Sequence, residues 1–499
     1  MKQAKQIRLL LCAALLLPLA ASCQNSNDTS GPLGLESASV MTDTVVNEDV
    51  VDPRVEPDLP DNLDFNGHTF TILNNINSNP QWTQTDIAVE SQTGESLNDA
   101  IFARNLTISE KYNCNIASLQ DIGASDKLLT LVKAGDSSVD IVTHYLRNYA
   151  VQAQQGLLID LNEVDTMNLS NPWYDSNSVT EASILNQLYG VASDITLTDK
   201  QATGALVFNK SIYADYMLDD SFGDIYSIVR DGKWTFDLLS QMVTSVSADL
   251  DGDSKRTEHD RYGLLYQRDT LTSMFTSFNI NIASKNSEDI PEMTLMTDRN
   301  LAIINEIFDL LYQENYCMNV MAYFIDGYWP DSMVSMFQTG NALMMWIRLR
   351  DVDKLRSMDT DFGILPMPKY NENADSYRSA VNSYVATMTC IPLTNYDLSM
   401  TGYFIEALAA ESHYTVIPEF YNINLQGKVS RDEESREMLD IIFANRHYDL
   451  GEIYDPGNIA YNLIFMTMTN NRDIASTWAS NEKLTNLQLK KMIEAFSNQ

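Results

Sequence analysis

The chain has 499 residues, 68 of them acidic and 33 basic, for a formal charge of −35. That balance argues against nucleic acid and anionic lipid surfaces as partners and points to a soluble exterior. The length exceeds what one core normally serves, so two lobes are the default expectation.

The chain opens on a basic stretch with Lys2, Lys5 and Arg8, followed by an apolar run from Leu9 to Leu19. That run is short for a membrane span and reads as a signal peptide covering residues 1–22. It ends in Ala20-Ala21-Ser22 before Cys23, a junction that resembles the bacterial lipobox, with Cys23 as the lipidated thiol. Lipidation would hold the protein at the outer face of the cytoplasmic membrane, with the lipid as its only membrane contact. The competing reading is an ordinary secretory signal with a chance cysteine. Residues 23–60 are acidic and rich in proline and small polar residues, with Arg54 the only base, so a disordered tether is expected. Cys114, Cys317 and Cys390 lack metal-ligand spacing and read as buried thiols.

Folding is expected to start near Asp64. Thr69–Leu73 alternates as a strand, and Ser96 with Asp99 three residues on starts a helix that carries Leu97, Ile101, Ile108 and Tyr112 on one face. Asn115–Leu119 is a second strand. Ser125 starts a second helix that stops at Gly135, and Asp140–Thr143 is a third strand. The rhythm predicts a parallel α/β sheet. Further on, Ala205–Phe208, Ala342–Ile347 and Phe362–Pro366 read as buried strands. Thr235 caps a helix through Val246, and Leu301–Leu311 is helical. Ser430 caps a helix with Asp432, Glu433 and Glu434 in its first turn, and Leu484–Phe496 closes the chain as a helix.

Several blocks taken together resemble the extracellular solute-binding lipoproteins of ABC importers, in their large sugar-type branch. They are Gly94–Ala100 with Arg104-Asn105 and Glu110–Asn113; Asp140–Val142; Asn171–Tyr174 leading to Leu188–Gly190, Ser193-Asp194 and Phe208–Lys210; Gly232–Asp237; Tyr262-Gly263; Phe362–Pro368; and Lys428–Asp449. The resemblance implies an α/β fold of two periplasmic-binding-protein-like lobes, hinged on strands that cross between them. Lobe one would hold 61–192 and 369–412, and lobe two 193–368 and 413–499. The crossings would fall near Val191–Thr196, after Pro368, and near Ser412–Pro418. Partners would be a small solute, expected to be a sugar, and the ABC permease subunits. A static surface glycan binder or a protein feeding a membrane sensor remains an alternative reading.

The segment Asp249-Leu250-Asp251-Gly252-Asp253-Ser254-Lys255, closed by Asp260, has carboxylates at positions 1, 3 and 5 of a calcium-type loop, with Lys255 offering a carbonyl. Ser254 replaces the glycine expected at the sharp turn, and Asp260 is shorter than the usual glutamate. A solvated acidic turn is the alternative. For a sugar, flat aromatics and polar rims are needed. Trp346, followed by Arg348 and Arg350, and Trp173 in its irregular turn are the platform candidates. Asn75, Trp82, Tyr145, Arg147 and Asp194 follow strand ends or the first crossing and join them as ligand-binding candidates. No nucleophile elbow, zinc-protease pair, phosphate loop or dinucleotide glycine pattern is present, so no catalytic residue is assigned. A glycosidase carboxylate pair stays open as a minor alternative.

Overall fold

Strand β4 (Gly204–Asn209) shows how this sequence chooses its architecture. Leu206 and Phe208 face one apolar cluster, while Ala205 and Val207 face another. A strand covered on both faces reads as a continuous apolar run, because its two-residue period puts alternate side chains into two separate layers. The computed structural model describes residues 54–324, 329–425 and 433–499. Cys23 and Ser430 lie outside the described residues.

Thirteen strands occur among the described residues. The first three are β1 (Thr69–Asn75), β2 (Asn115–Asp121) and β3 (Ile141–Tyr145), and after β4 come β5 (Tyr262–Tyr266), β6 (Ala283–Lys285) and β7 (Pro291–Met293). Then follow β8 (Cys317–Asn319), β9 (Ala342–Arg348), β10 (Phe362–Leu365), β11 (Ser379–Ala380), β12 (Thr387–Cys390) and β13 (Arg446–His447). They form two main sheets, ordered β12-β3-β1-β2 and β10-β4-β9-β5-β8. In the first, β1 is parallel to β2 and β3, and β12 runs antiparallel to β3. In the second, β5 is parallel to β8 and β9, while β4 opposes both β9 and β10. Helices cover both faces of each sheet, as buried parallel strands require.

The early helix starts at Ser96 and runs to Tyr112, and Asp99 accepts from the backbone N–H groups of Thr93 and Gly94 just before it. Its neighbour, Ala124–Ala134, begins one residue before Ser125 and ends at Gly135, whose φ of 67° is the left-handed turn that favours glycine. Thr235 caps the helix Phe236–Ser245 by accepting from Leu238 N. Sequence reasoning passed over β5. Gly263 sits in it because a Cβ there would meet Val243 O at 2.0 Å.

The connections near the expected crossings are specific. Val191 bridges Thr389 and Thr203 bridges Val381, so the segment after Val191 runs beside the one that leads into β12. After Pro368, Lys369 bridges Thr235. Ser412–Pro418 is not a strand; it lies inside the long helix Leu398–Leu425, which packs on the Ser96–Tyr112 helix. The last helix, Ile474–Ser497, begins ten residues before the expected Leu484, and Phe496 packs on Tyr189 with ring centroids 5.6 Å apart. Arg54 is anchored as well, through Glu411 at 2.7 Å and the Tyr414 ring, so the last residues of the expected tether are docked. Among the described residues, no helix is long and apolar enough to cross a membrane.

Candidate functional site

In sheets of this kind, parallel strands deliver their carboxyl ends to one edge. Here β1 delivers Asn75, β3 delivers Tyr145 and then Arg147, β5 delivers Gln267, Arg268 and Asp269, and β9 delivers Trp346 and Arg348. Trp82 stands on a one-turn helix that Tyr145 pins: the Tyr145 hydroxyl donates to Trp82 O at 2.8 Å and accepts from Asn77 Nδ2 at 3.2 Å. The guanidinium of Arg350 lies 4.9 Å from the centre of the Trp82 ring, and that of Arg348 lies 5.5 Å away. Arg348 also lies 5.8 Å from the Trp346 ring and pairs with Asp269. Trp346 donates its indole N–H to Ser273 Oγ at 3.0 Å.

The cluster joins the two sheets. Asp269 Oδ2 also accepts from Asn382 Nδ2 at 3.1 Å, on the loop leading to β12 in the first sheet. Arg147, just after β3, donates to Asp455 Oδ2 at 2.6 Å and stacks on the Tyr384 ring at 4.4 Å. Between them Asp269, Asn382, Ser383, Tyr384, Thr272 and Glu452 line a cavity of about 10 Å³. That volume holds no more than one water, so a sugar enters only if the walls part. Glu452 keeps part of its surface accessible, yet burial, with Asp449 and Asp269 nearby, pushes its carboxyl up to about 8.

Buried polar atoms without a partner mark the same edge. Asn75 Oδ1, Arg147 Nη1, Gln267 Nε2, Arg268 Nε and Arg348 Nε have no hydrogen-bond partner within the protein. An unsatisfied buried donor or acceptor costs about 1–3 kcal/mol, which a bound polar partner would offset.

Six expected ligand residues, Asn75, Trp82, Tyr145, Arg147, Trp346 and Arg348, therefore stand along the ends of β1, β3 and β9. Two do not join them. Trp173 is fully buried, packed with Val191, Ile195 and Phe404 in the layer behind the first sheet. The cause is Glu406 on the Leu398–Leu425 helix, which accepts from Asn171 Nδ2 at 2.9 Å and from the Tyr174 hydroxyl at 2.8 Å. These two bonds pull the Asn-Pro-Trp-Tyr turn onto the helix and press Trp173 inward, so it is corrected from platform to core. Asp194 spends both carboxylate oxygens inside the protein, on Lys200 Nζ at 2.7 Å and His413 Nδ1 at 2.6 Å. Burial acts to raise its carboxyl, but Lys200 and His413 hold it below the usual range. It belongs to a buried ion network that continues through Asp199, Arg446 and Asp175.

Asp269, Asn382, Tyr384, Glu452 and Asp455 were missed by sequence reasoning. The available signal was the Gln-Arg-Asp run directly after Tyr262–Tyr266, readable once that apolar segment is taken as a strand.

The acidic loop folds around its own carboxylates. Asp249 accepts from Gly252 N and Ser254 N at 2.7 and 2.9 Å, and Asp253 accepts from Lys255 N at 2.8 Å. Ser254 takes the left-handed turn, with φ of 64°. One oxygen from each of the exposed Asp249, Asp251 and Asp253 lies within 4.8 Å of the others, so the triad could hold a metal ion. Asp260 stands apart from it. It is buried and accepts from Leu250 N at 3.0 Å and Thr257 N at 2.8 Å, bracing the loop.

No family model matches the sequence, and no curated protein matches it. Solved structures do. An ABC substrate-binding protein from Listeria monocytogenes in complex with cycloalternan aligns over 85% of this chain and 99% of its own, at 10% identity and a TM-score of 0.52. A solute-binding protein of an ABC transporter from Thermotoga lettingae, bound with α-D-tagatose, aligns over 85% and 100% at 14% identity and a TM-score of 0.51. A Mycobacterium tuberculosis protein in complex with glycerophosphocholine covers 79% and 95% at 15% identity, with a TM-score of 0.53. The chain has the two-lobed α/β fold of the periplasmic binding proteins.

Proposed function

We propose that this chain is a lipid-anchored solute-binding protein that closes two lobes on a carbohydrate and hands it to an ABC importer without altering it. Residues 61–192 with 369–412 would form one lobe and 193–368 with 413–499 the other. One observation carries the reading: aromatic rings, guanidinium groups and unsatisfied polar atoms from both sheets meet at the strand ends around a cavity too small for a sugar. That combination suits a cleft that opens, takes a ring on an aromatic face and trades its internal contacts for those of the ligand. The sugars named for two of the solved relatives agree with it. Cys23 would carry the lipid, so Cys23→Ser should abolish fatty-acid labelling. Calcium would be the ion of the Asp249–Asp253 loop, with a structural role.

A thermal-shift screen of mono- and oligosaccharides tests the proposal. A cognate sugar should raise the melting temperature by mass action and be recovered unchanged. Recovery of a cleaved or modified sugar would overturn it.

A further inference from the structure

The strand-end cluster gathers arginines in a chain that is otherwise strongly acidic. Against −35 over the sequence, Arg147, Arg268, Arg348 and Arg350 gather at one edge, each lying over an aromatic ring: Tyr384, Phe465, Trp82 with Trp346, and Trp82. Two carboxylates pair with three of them. Asp455 takes Arg147, and Asp269 takes Arg348 and lies 3.4 Å from Arg268 Nε, an ion-pair distance without hydrogen-bond geometry.

The other acidic groups nearby have surroundings of their own. Glu452 lines the cavity, and burial pushes its carboxyl up to about 8. Asp449 is turned to the backbone N–H groups of Ile282, Ala283 and Gly451. Asp353, near Arg350, is raised by burial, and Asp351 pairs with Lys354. Three guanidiniums keep a buried nitrogen with no acceptor: Nη1 of Arg147, Nε of Arg268 and Nε of Arg348. Arg147 lies 4.4 Å from the ring of Tyr384 and Arg268 adjoins Asp269, and both Tyr384 and Asp269 line the cavity. A planar guanidinium matches a two-oxygen anion better than it matches a lone hydroxyl.

We propose that the cleft selects an acidic carbohydrate, whose ring takes the place of an arginine on Trp82 and whose carboxylate or sulfate ester is held by the unsatisfied nitrogens of Arg147, Arg268 and Arg348. The inference rests on the carbohydrate reading above and narrows its substrate class.

Titration calorimetry on the full chain with matched ligands tests it. One pair is an oligogalacturonate and its methyl ester; the other is a sulfated galactan oligosaccharide and its desulfated form. One charged member should bind at least about tenfold more tightly than its neutral twin, the scale of one charge-assisted hydrogen bond. The pair that shows the difference tells a carboxylate from a sulfate ester. Arg268→Gln and Arg147→Gln should each shrink that ratio toward one while the melting temperature shows the fold retained. Since the wild-type ratio needs no variant, misfolding of either leaves the test intact. Equal or tighter binding of a neutral twin, or of a neutral sugar from the screen, overturns the acidic specificity and leaves the carbohydrate reading standing. If no sugar of either class binds, both fall.

Discussion

Trp82 and Trp173 have the same side chain in similar irregular turns, and their partners separate them. Trp82 is held from below by Tyr145 and lies under two arginines, both of which a ligand could displace. Trp173 has no face left, because Glu406 has drawn its turn onto a helix. Trp82→Ala should therefore weaken ligand binding by about 2 kcal/mol, roughly thirtyfold, with the fold retained. Trp173→Ala should instead cost about 3–5 kcal/mol of stability. Calorimetry and denaturant melts on the two variants separate these effects; loss of affinity in Trp173→Ala at unchanged stability would reverse the correction. Glu452 makes a second prediction. Its carboxyl is raised to about 8, chiefly by burial, so between the unfolded carboxylate pKa and 8 the folded state binds more protons than the unfolded. Stability from this group is present at low pH and lost as pH climbs toward 8. Wild type should thus fall behind Glu452→Gln in melting temperature across about pH 5–8. A flat difference would show that Glu452 is ionised throughout. At this scale strand-end positions such as Arg147 and Arg348 were legible from the sequence, because position along a strand is local. The bonds that buried Trp173 and occupied Asp194 join residues far apart in sequence, 235 apart for Asn171–Glu406, and no local pattern announces them.

Among elements, the triad Asp249, Asp251 and Asp253 of the acidic loop was readable from its spacing, a local property, whereas the place of Asp260 outside it was not. Ser254 adopts the left-handed turn that its side chain disfavours, and Asp260 has the bracing role. Excess calcium should raise the melting temperature, and Asp251→Asn should remove that response. A melt indifferent to both calcium and chelator would leave a plain acidic turn. Strand β5 was less legible, since Tyr-Gly-Leu-Leu-Tyr is a short apolar run interrupted by a glycine. Its reason is tertiary: the Phe236–Ser245 helix passes so close that only glycine fits at position 263. Gly263→Ala should destabilise by about 1–3 kcal/mol, as overpacking does, measured by denaturant melts. Near the first expected crossing, contacts with β12 are made by hydroxyls: Ser193 to Thr389 at 2.8 Å, and Thr196 and Thr198 to Thr387 at 3.1 and 2.6 Å. Hydroxyls rotate to new partners more readily than a packed apolar seam separates, which suits a segment asked to bend.

For the molecule as a whole, α/β alternation foretold parallel strands, and the order of the motif blocks foretold the two-lobed arrangement. Neither foretold that residues of the two sheets would meet through arginines laid on aromatic rings. If the cleft must open to load, its affinity for ligand is reduced by the fraction of molecules that stand open. Small-angle scattering should show the particle more compact with saturating sugar than at an opened reference, such as Arg147→Ala combined with Asp269→Ala. No difference between the two states would argue for a rigid site.

The antiparallel strand β12 has a consequence for how the chain is made. It completes the edge of the first sheet beside β3, yet Tyr145 and its partner Thr387 are about 240 residues apart in sequence. Every strand of the second sheet is threaded between them. During synthesis the first sheet therefore waits, one edge unpaired, until its last strand emerges, and the intervening chain must find its own register before that seam can shut. A nascent protein built this way cannot complete its first sheet until most of the chain has been made.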